Sequence, residues 1–287
     1  MNEPVCRMSS DNSSRKNMKK VCFISIDVEN DLDKDSFECI KSMDRLLSLF
    51  AKHNIRSTLF VTGEVLEKFP TKVKQWSKNH EIASHEFHHL PLFKLSPLER
   101  KLEIKKFNRL YYSILKSYPQ GFRAVQHTID LTQMEILEQF GYSYDSSVIP
   151  RYVPFRKYVG YKGKAPLVPY FPSKKNIRNK GVSDNRLDLI EIPVVPLIMG
   201  ISLYGTWIRI FGSKIMRLLL FFKKPNYLAL AMHPWDAYPY HGQYSKNSGE
   251  KYFVYLEQVI NSLKKKYTFK TYGEVASKYH PLLRRKK

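Results

Sequence analysis

Residues 21–33 read VCFISIDVENDLD. The apolar run VCFISI stops at a cluster of carboxylates, Asp27, Glu29, Asp31 and Asp33. That pattern predicts a buried strand ending in a charged loop. Downstream, Phe37, Ile40, Met43, Leu46, Leu47 and Phe50 recur at three- and four-residue spacing, which predicts an amphipathic helix over 36–53. STLFV (57–61), EIAS (81–84), GFRAV (121–125), YSYDSSV (142–148), LIEIPVV (189–195) and YLALAM (227–232) read as further strands. Helical stretches fall at 64–69, 71–78, 96–115, 132–140, 252–265 and 272–278. The longest of them opens with Ser96-Pro97-Leu98-Glu99, a capping box with proline in the first turn. Strands alternating with helices predict a mostly parallel sheet covered by helices, an α/β fold.

Composition narrows the possibilities. At 287 residues and 43% hydrophobic content the chain can bury one core of barrel size. Cys6, Cys22 and Cys39 have no paired spacing, so neither a disulfide framework nor a cysteine zinc site is expected. Residues 1–20 are polar and lack an apolar core, which predicts a disordered tail without a secretory signal and a cytoplasmic protein. A single domain is expected over 21–280, with an irregular insertion at 151–188 and a basic tail at 281–287. Lys and Arg outnumber Asp and Glu by 48 to 26. That excess favours an anionic partner, although a solvated basic surface explains it equally well. No helix-turn-helix, zinc-finger or RNA-recognition pattern accompanies the charge, so no specific nucleic-acid partner is expected.

The polar residues in the strands carry the chemistry. Asp27, His85, Arg123, Asp145 and His233 lie within or just beyond short apolar strands, mostly at the C-terminal end, where barrel folds gather catalytic groups. His85 and His89 in ASHEFHHL are four apart, so on a helical turn both imidazoles could face one metal; in an extended backbone His88 would replace His89. A carboxylate would complete a hydrolytic zinc-type site, and Asp-Val-Glu at 27–29 offers two, one to bind and one to act as base. His233, between an apolar strand and Pro234-Trp235, is placed to be a general acid or simply to pack beside Trp235. A buried Arg123 needs a carboxylate partner, and Asp27 is the candidate.

The order of ISIDVEND, STLFVTGEV, HEIASHEFHH, GFRAVQHTID, YSYDSSVIP, LIEIPVV and ALAMHPWD resembles the polysaccharide deacetylase family (NodB homology, carbohydrate esterase family 4) from Val21 to Asp236. The Asp-Val-Glu and His-Pro-Trp variants are similar to the subgroup with an Asp-x-Asp/Glu first motif. The resemblance implies a distorted (β/α) barrel with fewer than eight strands. It also implies a divalent metal, zinc foremost, that serves N-deacylation of an amino-sugar-containing saccharide. By that match Asp27 is the base, Glu29, His85 and His89 bind the metal, and Arg123 orients the base. Asp145 tunes the general acid His233, and Trp235 and His127 contact substrate.

Three features depart from the family pattern. Val28 stands at the usual metal-Asp position, Ala-Val-Gln-His follows Arg123 in place of a proline turn, and 151–188 has no counterpart. A non-catalytic glycan or lipid-carrier binding protein on the same fold is the alternative reading. Residues 198–222 mix aromatics, leucines and spaced cations, which suits an apolar helix packed on the barrel or a peripheral contact with an anionic membrane.

Overall fold

The computed structural model describes residues 20–32, 34–150, 163–198, 201–240 and 245–279. The tail expected at 1–20 (apart from Lys20), residues 151–162 of the insertion, and the tail at 281–287 lie outside the described residues. β1 (Lys20–Val28) leads through a 3-10 turn at Glu38–Ser42 into α1 (Met43–Lys52). β2 (Thr58–Val61), α2 (Gly63–Lys68), α3 (Pro70–Trp76), β3 (Glu81–Ser84) and α4 (Pro97–Leu115) follow. Next come β4 (Gly121–Phe122), α5 (Leu131–Gln139), β5 (Tyr144–Asp145), β6 (Ile190–Glu191), β7 (Leu203–Tyr204) and α6 (Gly205–Phe222). The chain closes with β8 (Tyr227–Met232), α7 (Pro234–Ala237), α8 (Glu250–Lys264), β9 (Tyr267–Phe269) and α9 (Tyr272–Tyr279).

The sheet order is β6-β5-β4-β3-β2-β1-β8-β7, and every named pairing is parallel. β9 pairs with the first residues of β1, off this path. Eight strands therefore lie on the path where fewer than eight were expected, and four of them are only two residues long. Among the described residues no ladder joins β6 to β7. The Ser202 hydroxyl, which donates to the Val194 carbonyl (3.3 Å), spans that side of the curled sheet. This is the distorted (β/α) barrel expected from the sequence.

Strand alternation separates two environments. Cys22, Ile24, Ile26 and Val28 of β1 face outward into the main core beneath the helices. Phe23 faces inward to an aromatic floor with Phe60, Tyr144 and Tyr272. Tyr272 stacks on Phe23 (centroids 4.3 Å) and meets Phe60 edge-on (5.5 Å), so α9 fills the barrel at the N-terminal ends of the strands. Gly121 makes room for this floor, because a Cβ there would lie 1.8 Å from the Tyr144 ring. Ser25, Asp27 and, just past the strand, Glu29 share the inward parity of Phe23. Val28 is therefore a core residue pointing at the helices, and Glu29 is the next side chain after Asp27 that can reach the barrel axis.

Gly121→Ala is expected to cost about 3 kcal/mol, the upper end for overpacking a dense core, because both Tyr144 and its neighbours in the floor would have to move. Urea denaturation of the two proteins measures this directly.

Candidate active site

At the C-terminal mouth of the barrel the inward residues converge. Arg123, fully buried, stands in the axis and satisfies all five guanidinium N–H groups. It donates to the Asp27 carboxylate (2.7 Å), the Ser25 hydroxyl (2.9 Å), the Ser146 carbonyl (3.0 Å) and hydroxyl (3.1 Å), and the Tyr272 hydroxyl (2.9 Å). Its cation also lies 4.0 Å above the Phe60 ring centroid. Burial pushes the Asp27 carboxyl up, but Arg123, His85 and His233 outweigh it and hold Asp27 below the ordinary carboxylate range. The ion pair expected between Arg123 and Asp27 is present, and it leaves one Asp27 oxygen free to face the mouth.

Glu29 meets both histidines. Its Oε2 lies 3.1 Å from His85 Nε2 and 2.8 Å from His89 Nε2, and the three ligating atoms fall within 4.8 Å of one another. His85 Nδ1 is 2.8 Å from the Arg123 carbonyl oxygen, which only accepts, so Nδ1 donates its hydrogen there and Nε2 is the nitrogen turned to Glu29. Two imidazoles and a carboxylate are the donor set of a catalytic zinc-type site with an open position, and they fit a divalent metal. Burial raises the Glu29 carboxyl, yet His89, His233 and the hydrogen bonds from His85 and His89 bring it well below its usual range.

The backbone that brings the histidines together is not the helical turn expected from their spacing. Residues 85–90 form a bend, with Glu86 in the left-handed region at φ 65°. Gly63 and Glu64 N–H groups donate to the Glu86 and Phe87 carbonyls (2.9 and 3.2 Å), which ties the bend to the start of α2. Gly63 must be glycine for this approach, since a Cβ would lie 2.3 Å from the Phe87 ring. The bend turns His88 away. Its backbone and ring nitrogens bind Glu103 (2.9 Å each), so His89 alone remains to partner His85.

His233 closes the other side. Its ring stacks on Trp235 (4.0 Å between centroids, 10° between planes), and Nε2 lies 3.8 Å from Glu29 and 4.0 Å from Asp27. Trp235 donates its indole N–H to Glu29 Oε1 (3.3 Å), so it forms a wall of the site. Although burial lowers it, the charges of Glu29, Asp236 and Asp27 raise His233 to about 9.

The acid at His233 Nδ1 is Asp236, not Asp145. Asp236 Oδ2 lies 3.6 Å from Nδ1, just beyond hydrogen-bond reach, and accepts the His233 backbone N–H (3.1 Å). Its other oxygen accepts from the Thr206 hydroxyl (2.9 Å) and lies 3.6 Å from Arg209 Nε. Asp145 points the opposite way because its parity on β5 is that of the outer face. There it is the register partner of Glu191 on β6, and its oxygens accept from the Ser147 hydroxyl (2.6 Å) and N–H (3.1 Å). Burial, and then the Asp145 charge, push Glu191 well above the usual carboxylate range, and burial raises Asp145 as well, so the pair holds a proton to a higher pH than free carboxyls do.

His127 has both ring nitrogens engaged. Nδ1–H donates to the Ser147 carbonyl (2.8 Å), and Nε2 accepts from the Tyr204 hydroxyl. Burial and then the Arg123 charge lower it to about 3, so it is neutral. The group expected to touch substrate is thus itself covered, and Tyr204, whose ring lies face to face with His233 at 6.5 Å, is the side chain it steadies.

Residues 16–144 match the family described as polysaccharide deacetylase. Peptidoglycan deacetylase-like protein FGM2 of Gibberella zeae is 28% identical over 152 residues, a match spanning 52% of this chain and 45% of that protein. Among solved structures, a putative polysaccharide deacetylase from Mycobacterium smegmatis superposes with a TM-score of 0.62 at 16% identity, covering 91% of this chain and 90% of that one. A carbohydrate esterase family 4 pseudoenzyme from Bacillus anthracis superposes at 0.56 with 14% identity, covering 90% and 66%. Puue allantoinase does so at 0.63 with 12% identity, covering 91% and 90%. At these identities the structures show a shared fold, and a fold that serves a deacetylase, a pseudoenzyme and an allantoinase does not by itself set the reaction. Over residues 16–144 the chain is thus similar in sequence to the polysaccharide deacetylase family, and its fold is shared with a structure described as one of that family.

Two outcomes follow from the charges. In metal-free protein, NMR titration should find the His233 imidazole near 9. Glu29→Gln should move it down, because a negative neighbour that favours the imidazolium is gone. Glu191, raised in the folded state, contributes stability that is complete below its unfolded value of about 4.3 and is lost as pH rises. Glu191→Gln should therefore flatten the fall in urea midpoint between mildly acidic and mildly alkaline pH; an unchanged slope would place the proton elsewhere.

Proposed function

We propose that this protein is a metal-dependent hydrolase that removes an N-acyl group, foremost N-acetyl, from an amino sugar in a glycan, a nucleotide-linked saccharide or a lipid-linked one. Its Asp-Val-Glu order supports assigning it to the Asp-x-Asp/Glu subgroup. The observation that carries this reading is the convergence on one mouth of a Glu29–His85–His89 donor set, an Arg123-tethered carboxylate and a stacked imidazole. These are the parts that amide hydrolysis needs, since an amine leaves only if it is protonated as the bond breaks.

Glu29, His85 and His89 would hold the metal, with zinc best suited to the donors. When bound, the metal supplies Lewis acidity and makes water a nucleophile near neutral pH. Asp27 takes the proton of the attacking water. It can do so because Arg123 keeps it ionised and directs its second oxygen to the mouth. His233, protonated and backed by Asp236, gives a proton to the departing nitrogen. Trp235 fixes the imidazole plane and keeps water from its buried face. Tyr204, steadied by His127, borders the space where the sugar would sit.

The test is mass spectrometry of small N-acetylated sugars incubated with zinc-loaded protein, where hydrolysis removes about 42 mass units. Asp27→Asn should retain metal and fold but lower kcat by about 10²–10⁴-fold, as loss of a general base does. Saccharide binding without turnover in metal-loaded protein would instead favour a binding protein on this fold. Full turnover by Asp27→Asn would remove Asp27 from the base role.

A further inference from the structure

Helix α6 has two unlike faces. Ile208, Met216 and Leu220 pack into the core shared with α8. On the opposite side Ile215, Leu218 and Phe222 recur at three- and four-residue spacing and are 46%, 56% and 70% exposed, with Phe221 beside them at 62%. Gly212, at φ 76°, bends the helix, and beyond the bend a stacked pair, Trp207 and Phe211, carries apolar surface toward the mouth. No helix among the described residues is long and apolar enough to cross a membrane. This one is a surface helix with an apolar stripe that the described residues leave exposed.

The stripe is set among cations. Lys214 and Arg217 are exposed on the same helical arc. At its C-terminal end the ammonium groups of Lys224 and Lys266 lie 5.2 and 5.7 Å from the Phe221 ring centroid. Lys20 joins them by donating to the Lys224 carbonyl (2.7 Å). After burial, the influences that lower Lys266 are the like charges of Lys224, Lys20 and Lys265. A concentration of one sign beside exposed aromatic and aliphatic side chains calls for a partner offering both anions and an apolar layer.

We propose that this face of α6, with the lysine cluster at its end, seats the protein peripherally on an anionic lipid surface. Ile215, Leu218 and Phe222 would enter the boundary between headgroups and acyl chains while the lysines hold the phosphates above it. Nucleic acid would satisfy the cations but offer no apolar layer to the stripe. A second copy would bring like charges face to face on chains that each carry a formal +22. Because α6 runs from the end of β7 back to the start of β8, its lie on the surface would leave the mouth opening along the membrane.

Co-sedimentation of the full chain with phosphatidylcholine vesicles, pure or with about a third phosphatidylglycerol, tests this. Binding is expected to the anionic vesicles only. Leu218→Glu with Phe222→Glu should weaken it at least about tenfold, since each side chain removed from the apolar layer forfeits more than one factor of ten in affinity. Leu102→Glu on α4, also exposed, should bind like wild type. Three results would overturn the proposal: no binding to anionic vesicles, equal binding by the double variant, or a dimer abolished by that variant in a protein that leaves vesicles alone.

Discussion

A guanidinium with no exposed surface sits at the centre of this barrel, and much of the molecule is arranged to keep it charged. An isolated buried cation is destabilising by several kcal/mol, and a single carboxylate does not offset that without hydrogen bonds to the remaining donors. Here Asp27 takes one N–H of Arg123, and two serines and Tyr272 take the others. The acceptors come from β1, from the segment just after β5, and from α9 at the far end of the chain, so the arginine cannot be satisfied until the barrel has closed around it. Its own carbonyl then receives the His85 ring proton. One residue thereby sets the ionisation of Asp27 and the orientation of the His85 ring, which links the candidate base to the donor set.

The period of two in the strands does the rest. On β1 it sends Phe23 to the aromatic floor, Ser25 to Arg123, Asp27 to the mouth and Glu29 to the histidines, while Val28 joins the helical core. A carboxylate at position 28 would have faced the helices. The Asp-Val-Glu order is therefore the arrangement that lets both acids reach the axis while the backbone is still extended.

Much of this was legible in the sequence because the long strands and the helices have clear periods. The apolar runs ending at Asp27, His85 and His233 showed where the mouth would be, and the need of a buried arginine for a carboxylate paired Arg123 with Asp27. Two of the short strands were not legible. β7 and β9 have two and three residues, too few to display alternation, and so the inward position of Tyr204 was hidden. Asp145 was assigned by family resemblance, and only the register of a two-residue strand reveals that it faces outward to Glu191. Asp236 did leave a trace: His233-Pro234-Trp235-Asp236 has the three-residue spacing of a capped first turn, which carries the carboxylate back over the histidine. Spacing suggested a helical turn for His85 and His89. The left-handed Glu86 that replaces it rests on contacts with Gly63 and Glu64, which no local pattern encodes.

The central claim is that Glu29, with His85 and His89, forms one metal centre beside an Arg123-tethered Asp27. Anomalous diffraction from crystals soaked in zinc tests it most directly. The account predicts a single strong peak about 2.0–2.2 Å from a Glu29 carboxylate oxygen and from Nε2 of both histidines, with the Asp27–Arg123 pair intact beside it. A peak that avoids Glu29, or one held by His88 in place of His89, would contradict it.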